Sequence, residues 1–161
     1  MIARDPAADI AALLADARLA LEGVPREALG VPRTSRWRAP RIVRAGAAWH
    51  IGVLLLTDDG LRSTGEVLRA AAPVRRGYAA ESARARAERR AEASRGGFAD
   101  GETVHLGSTP VDLAAVARGE ASGPIALVDG IPMVRWSRAA DHMPLAAYLR
   151  EQIALLRDRG V

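Results

Sequence analysis

Arginine supplies every one of the 23 basic side chains in this 161-residue chain, and Lys, Cys and Asn do not occur. The available chemistry is therefore that of guanidinium, carboxylate, imidazole and hydroxyl groups. Without Lys there is no Schiff base, no pyridoxal anchor and no phosphate-loop lysine. Without Cys there is no thiolate nucleophile, redox dithiol or thiolate zinc site. Neither His-Glu-x-x-His nor Gly-x-Ser-x-Gly is present, and Gly96-Gly97-Phe98-Ala99-Asp100-Gly101 lacks the Gly-x-Gly-x-x-Gly spacing. Codon usage in a GC-rich genome explains the missing Lys and Asn without any functional selection for Arg. That explanation also tempers the pI of about 10.8, since the net charge is only +4.

Two arginine clusters could bind anions. In 75–95, Arg75, Arg86 and Arg90 fall on one flank of a helix, with Arg89 nearby, while Glu81, Glu88 and Glu92 line the other flank beside Arg84 and Arg95. Arg86 and Arg90 form an i,i+4 like-charge pair, which costs an isolated helix only about 0.2–0.5 kcal/mol. Solvent or an internal carboxylate, with Glu66, Asp112 and Asp141 as candidates, is the simpler partner. An external phosphate, nucleic acid or acidic protein surface is the functional alternative, because paired guanidinium groups suit oxyanions. The second cluster is Arg33, Arg36, Arg38, Arg41 and Arg44 around Trp37. Such a segment can stack single-stranded nucleic acid, but one aromatic is a small platform. Trp37 is therefore expected to pin the segment to the core while the Arg heads stay wet.

Acid–base catalysis would fall to Glu66, Glu81 and His105, the least poor candidates, since no base, nucleophile and orienting group can be placed together from spacing alone. His50, His105 and His142 show no metal-site spacing, so neither metal nor other cofactor is expected. Asp58-Asp59 reads as turn chemistry. Tyr78, Glu81 and Ser82 could line a pocket, although Glu81 also simply complements a positive helix end.

The elements that must position these groups follow from periodicity and punctuation. A helix is predicted over 6–22, capped by Asp5 with Pro6 at its first position and Ile10, Leu13, Leu14, Ala17 and Leu21 on one face. A short helical turn at 25–29 and an extended segment over 31–41 should follow. The apolar run 48–56 predicts a central strand, Asp59-Gly60 a hairpin turn, and 61–71 the returning strand with a bulge at Gly65. Residues 41–45 could add a third strand. Then come a long helix over 75–95, whose Ala80, Ala83, Ala87, Ala91 and Ser94 form a small-residue stripe against the sheet, and a strand over 102–107. Thr109-Pro110-Val111-Asp112 should cap a helix ending at Gly119. Strands 124–128 and 131–136 join through Asp129-Gly130, with Pro132 confining the second to an edge or irregular position. A last helix over 144–158 carries Leu145, Leu149, Ile153 and Leu156 on one stripe.

The expected fold class is α+β: a mainly antiparallel sheet of about five strands built from two hairpins, with helices packed on one face. The expectation is a single α+β domain over 1–161, comprising the N-terminal helix 6–22, the extended segment 31–41 and a sheet-and-helix core over 42–158. Met1 leads into Asp5 and an amphipathic helix, so no signal peptide is expected, and no apolar run reaches membrane-spanning length. Zero cysteine fits a cytoplasmic location.

The segments 48–56, Gly96-Gly97-Phe98-Ala99-Asp100-Gly101-Glu102-Thr103-Val104 and Val134-Arg135-Trp136 resemble a family of short uncharacterised bacterial proteins from high-GC genomes, some labelled glutaminase. The resemblance spans most of 40–158. A glutaminase would need Ser-x-x-Lys or a nucleophilic Cys, and this chain has neither Lys nor Cys, so no catalytic residue carries over. The sequence thus favours a non-catalytic cytoplasmic binding or interaction module, as a homo-oligomer meeting through the Pro132 edge and the Ala-rich helix faces. The second reading is an Arg-mediated binder of anions or nucleic acid through Arg75, Arg86 and Arg90, nucleic acid not being the favoured ligand. A small carboxylate/His enzyme is the third. No membrane partner is expected.

Overall fold

The computed structural model describes residues 5–75, 77, 80–139 and 141–160. The elements in chain order are α1 (Pro6–Ala20), β1 (Glu27–Arg33), β2 (Arg41–Ile51), β3 (Leu54–Leu56), β4 (Leu61–Ser63), β5 (Glu66–Arg69), α2 (Glu81–Arg95), β6 (Thr103–Leu106), β7 (Thr109–Pro110), α3 (Leu113–Ala117), β8 (Ile125–Val128), β9 (Ile131–Arg135), β10 (His142–Pro144) and α4 (Leu145–Arg159). The fold is α+β, but the main sheet is not five antiparallel strands. Seven strands are hydrogen-bonded in the order β5-β6-β1-β2-β3-β4-β7, with β1 and β6 parallel, and β10-β9-β8 form a separate antiparallel sheet. The parallel pair joins strands more than 70 residues apart in sequence, which no hairpin signal reveals.

The chain divides into two compact units: Met1–Arg26, Trp49–Ser63 and Thr109–Val161 in the first, Glu27–Ala48 and Thr64–Ser108 in the second. In the first, Ile10, Leu14, Ala17 and Leu21 of α1 join Ile51, Leu54, Val116, Ile125, Val134, Leu145 and Leu149 in one core. Asp5 caps α1 by accepting from Ala7 N–H at 3.0 Å, with Pro6 at the first turn as its chemistry requires. The expected strand 48–56 is interrupted. Gly52 adopts φ +67°, the chain reverses at Gly52-Val53, and β2 pairs back onto β3. The Tyr148 hydroxyl of α4 clasps this turn, accepting from Val53 N–H at 2.7 Å and donating to Ile51 C=O at 3.0 Å. Asp129-Gly130 turns β8 into β9 with positive φ at both residues, as its turn chemistry predicts, whereas β3 reaches β4 through a four-residue loop, 57–60, in which Asp59 and Gly60 do not adopt positive φ.

Pro132 does not mark an edge, because β9 is the central strand of its sheet. Arg135 N–H donates to Pro124 C=O and Trp136 N–H to Asp141 C=O, so alternation directs the backbone groups of 132, 134 and 136 towards β10. β10 ends at Pro144, opposite Met133. The ring of Pro132 therefore removes a donor just beyond the strand that would have used it. The cap at 109–112 is also shifted. Val111 N–H donates to Leu61 C=O and keeps the chain extended, so Thr109 and Pro110 form β7 and Asp112 caps α3 by accepting from Ala115 N–H at 2.9 Å. α4 presents Leu145 and Leu149 fully to the core and Ile153 and Leu156 partly, as the predicted stripe requires.

The second unit packs Ala28, Ile42, Leu68, Ala70, Ala93, Phe98, Val104 and Leu106 together. The expected helical turn at 25–29 is instead the start of β1. The expected extended segment 31–41 resolves into the end of β1, a loop over 34–40 and the start of β2. Residues 61–71 form two strands, β4 and β5, separated at Thr64-Gly65. α2 starts at Glu81 rather than 75, without a side-chain cap at Ala80. The alanine stripe is not buried along its length: Ala91 is buried, Ala83 half-buried, and Ala80 and Ala87 exposed. Among the described residues, no helix is long and apolar enough to cross a membrane.

Candidate functional site

β1 and β2 form an antiparallel hairpin in the second unit, with Gly30↔Arg44, Val31↔Val43, Pro32↔Ile42 and Arg33↔Arg41 in register and a bulge between Leu29 and Gly30. The loop 34–40 closes it. Trp37 sits in this loop with 90% of its surface exposed, so the expectation that it anchors the segment to the core is wrong. The loop around Trp37 is short of apolar partners: between Thr34 and Pro40 only Ala39 and Pro40 join it among the apolar residues. Its own N–H donates to Ser35 Oγ at 3.3 Å, which shapes the loop without covering the ring.

The base of the loop is held in place. Arg95, at the end of α2, donates from Nε to Pro40 C=O at 2.9 Å and pairs through Nη2 with Glu88 at 2.7 Å. Gly96 follows, and a Cβ there would fall 1.5 Å from Ile42 O, so β2 and the helix end meet backbone to backbone. Arg44 lies 4.8 Å over the Phe98 ring and pairs with Glu102, whose other oxygen accepts from Ala99 N–H at 2.9 Å. The Arg44 hydrogen bond, with help from Ala99 N–H, holds the Glu102 carboxyl below its ordinary range.

Arg44 is thus committed to the fold, whereas Arg33, Arg36, Arg38 and Arg41 pair with no carboxylate among the described residues. Arg33, Arg36 and Arg38 are exposed and Arg41 is half-buried. Residues 28–57 contain no Asp or Glu. Arg33 and Arg41 are direct cross-strand partners, an arrangement that destabilises a hairpin when the charges are alike. An anion held between them would remove that repulsion.

The helical arginines are placed differently. Arg86 and Arg90 line an open groove of about 960 Å³ together with Ala83, Ala87 and Ala91 of α2 and residues 71–74 and 77. Arg84 and Glu88, expected on a separate flank, line the same groove. Arg75 is exposed and is not among the lining residues. Arg90 Nε donates to Arg69 C=O at 2.8 Å, and the carboxylate of Glu66 pairs with Arg89 at 2.7 Å rather than with Arg86 or Arg90. Tyr78, considered as a pocket residue, lies outside the described residues.

The acid–base candidates do not gather. Glu66 is in register with Leu106 and Val67 with His105, so Glu66 and His105 project from opposite faces of the sheet. Glu81 is exposed at the first turn of α2. His105 is fully buried on β6, its Nε2 in hydrogen-bond contact with Glu27 Oε2 on β1. Glu27 was not legible as its partner, because 25–29 reads locally as a helical turn and the contact depends on the parallel pair. His50 Nε2 contacts Gly52 O at 2.9 Å, and His142 is exposed on β10.

No protein-family model, curated protein or solved structure matches the chain. Gly96, Phe98 and Glu102, within 96–104, serve the hairpin base.

Proposed function

We propose that this protein is a non-catalytic binding module that holds a polyanion on the β1–β2 hairpin. Arg33, Arg36, Arg38 and Arg41 supply the charge and Trp37 an exposed planar surface. The observation that carries the reading is the exposed indole among four arginines that have no carboxylate partner among the described residues, on a stretch free of acidic residues. Guanidinium groups hold oxyanions in bidentate fashion, and a rigid hairpin base limits the entropy lost on binding. A polymer of repeating negative charge neutralises four arginines of one sign more completely than a folded surface of mixed charge.

Inorganic polyphosphate isolates the charge term. The Arg33→Gln/Arg36→Gln/Arg38→Gln/Arg41→Gln variant should bind it at least about tenfold more weakly at low salt than the unaltered protein. Equal affinity would remove the hairpin from the site. A second reading, a small-anion site in the α2 groove using Arg86 and Arg90 with Arg75 at its approach, is favoured by their shared groove. Arg86→Gln/Arg90→Gln separates the two, since it should leave polyphosphate binding unchanged when the hairpin is the site. The acid–base enzyme has less support, given the opposed faces of Glu66 and His105.

A further inference from the structure

The polyanion can be specified further, on the strength of the reading just given: we infer that it is single-stranded nucleic acid, with Trp37 stacking on an unpaired base while Arg36 and Arg38 hold the flanking phosphates. Among the described residues Trp37 is the most exposed of the large apolar side chains, and it stands at the end of a hairpin whose root is tied by Arg95 to Pro40 and by Arg44 to Glu102. An indole so placed offers a face to a base that is already out of a stack. Arg36 and Arg38 are its immediate neighbours in sequence, so phosphate contacts and ring contact arise from one short segment. Base–aromatic stacking with a positively charged track is how single strands are held without sequence preference.

The other polyanionic surfaces fit less well. In a duplex the same indole must wedge between paired bases, which costs a few kcal/mol per step and is repaid only when bent DNA wraps a larger protein surface. A lone ring with four arginines provides little such surface. At a lipid surface, binding scales with buried apolar area, and residues 34–40 offer only Trp37, Ala39 and Pro40. An acidic protein partner of ordinary size needs about 800 Å² on each side with an apolar centre, and the hairpin tip presents one aromatic.

The test uses the full chain and four probes: an oligothymidine of about 12 nucleotides, an abasic strand of the same length, a duplex of that length, and vesicles of mixed phosphatidylcholine and phosphatidylserine. Fluorescence anisotropy should show the oligothymidine bound about tenfold more tightly than the abasic strand. Trp37→Ala should lower oligothymidine affinity to the abasic level while leaving the salt dependence unchanged, and Trp37→Phe should restore most of the difference. Indole emission should be quenched on adding oligothymidine to the unaltered protein and not to Trp37→Phe, which retains Trp49 and Trp136. Equal binding of the base-bearing and abasic strands, tighter binding of the duplex, or no effect of Trp37→Ala would overturn the stacking inference and leave the polyanion reading in place. Failure to bind either strand at low salt would overturn both, and vesicle binding in that circumstance would assign the tip to a lipid surface instead.

Discussion

Trp37 and Tyr148 are both large aromatic residues, yet one is exposed at a loop tip and the other is buried as a clasp. Tyr148 reaches its place because α4 carries it towards the core beside Leu145 and Leu149, where its hydroxyl meets two backbone groups of the Gly52-Val53 turn. Tyr148→Phe leaves Val53 N–H and Ile51 C=O without that partner and should lower stability by about 1–3 kcal/mol, read as a shift in urea midpoint. An unchanged midpoint would show that the turn does not depend on the clasp. Burial raises the Tyr148 phenol above its ordinary value of 10.0, so the contribution is complete below that value and lost as pH rises through the raised folded value. Glu102 works in the opposite direction. Its folded value is depressed below 4.5, chiefly by Arg44, so its contribution is present above 4.5 and lost as pH falls through the depressed value. Thermal melts of Glu102→Gln should therefore lose less stability on acidification than those of the unaltered protein, and superimposable profiles would contradict this. The exposure of Trp37 was partly legible, since its neighbours are Ser35, Arg36, Arg38 and Ala39. What misled was the habit of large apolar rings to be buried, which is a tendency of composition rather than of any one position.

At the scale of elements, the turns were legible and the long-range pairings were not. Asp129-Gly130 encodes its reversal in two adjacent residues of positive φ, whereas Asp59-Gly60 marks the place of a four-residue loop, 57–60, closed by Thr57 N–H donating to Gly60 C=O at 3.1 Å. The reversal at Gly52 was hidden because the surrounding Ile51, Val53, Leu54, Leu55 and Leu56 read as one continuous buried strand. β1 was hidden for a different reason: its parallel neighbour β6 lies far along the chain, and Pro25-Arg26-Glu27 reads locally as a helix start. The composition of 75–95 predicts the type of α2 and its end at Gly96, but the helix starts at Glu81 rather than 75, beyond Gly77. The fit of that end is tight. Gly96→Ala must push a methyl group into Ile42 C=O, a backbone atom that cannot rotate away. Such overpacking should cost about 1–3 kcal/mol in chemical denaturation, and it should loosen the hairpin base enough to weaken polyanion binding. A Gly96→Ala protein of unaltered stability would mean that α2 and β2 do not meet as closely as described.

For the molecule as a whole, a net charge of +4 conceals a strongly uneven distribution. Residues 28–57 carry Arg33, Arg36, Arg38, Arg41 and Arg44 and no acid, whereas α2 mixes Arg with Glu along its length. Composition alone could not separate these two clusters, because codon usage explains an all-arginine chain equally well in both. The separation comes from partners. On α2, Arg89 pairs with Glu66 and Arg95 with Glu88, while on the hairpin, among the described residues, only Arg44 has a carboxylate, Glu102. If the four remaining arginines each neutralise one phosphate, they govern how steeply binding falls with salt. The direct measurement is the slope of log affinity against log salt concentration for a single-stranded oligonucleotide, compared between the unaltered protein and the four-arginine variant. At roughly 0.7 per phosphate neutralised, the variant's slope should be shallower by about 3. Parallel slopes would contradict the assignment of the hairpin as the polyanion-binding element.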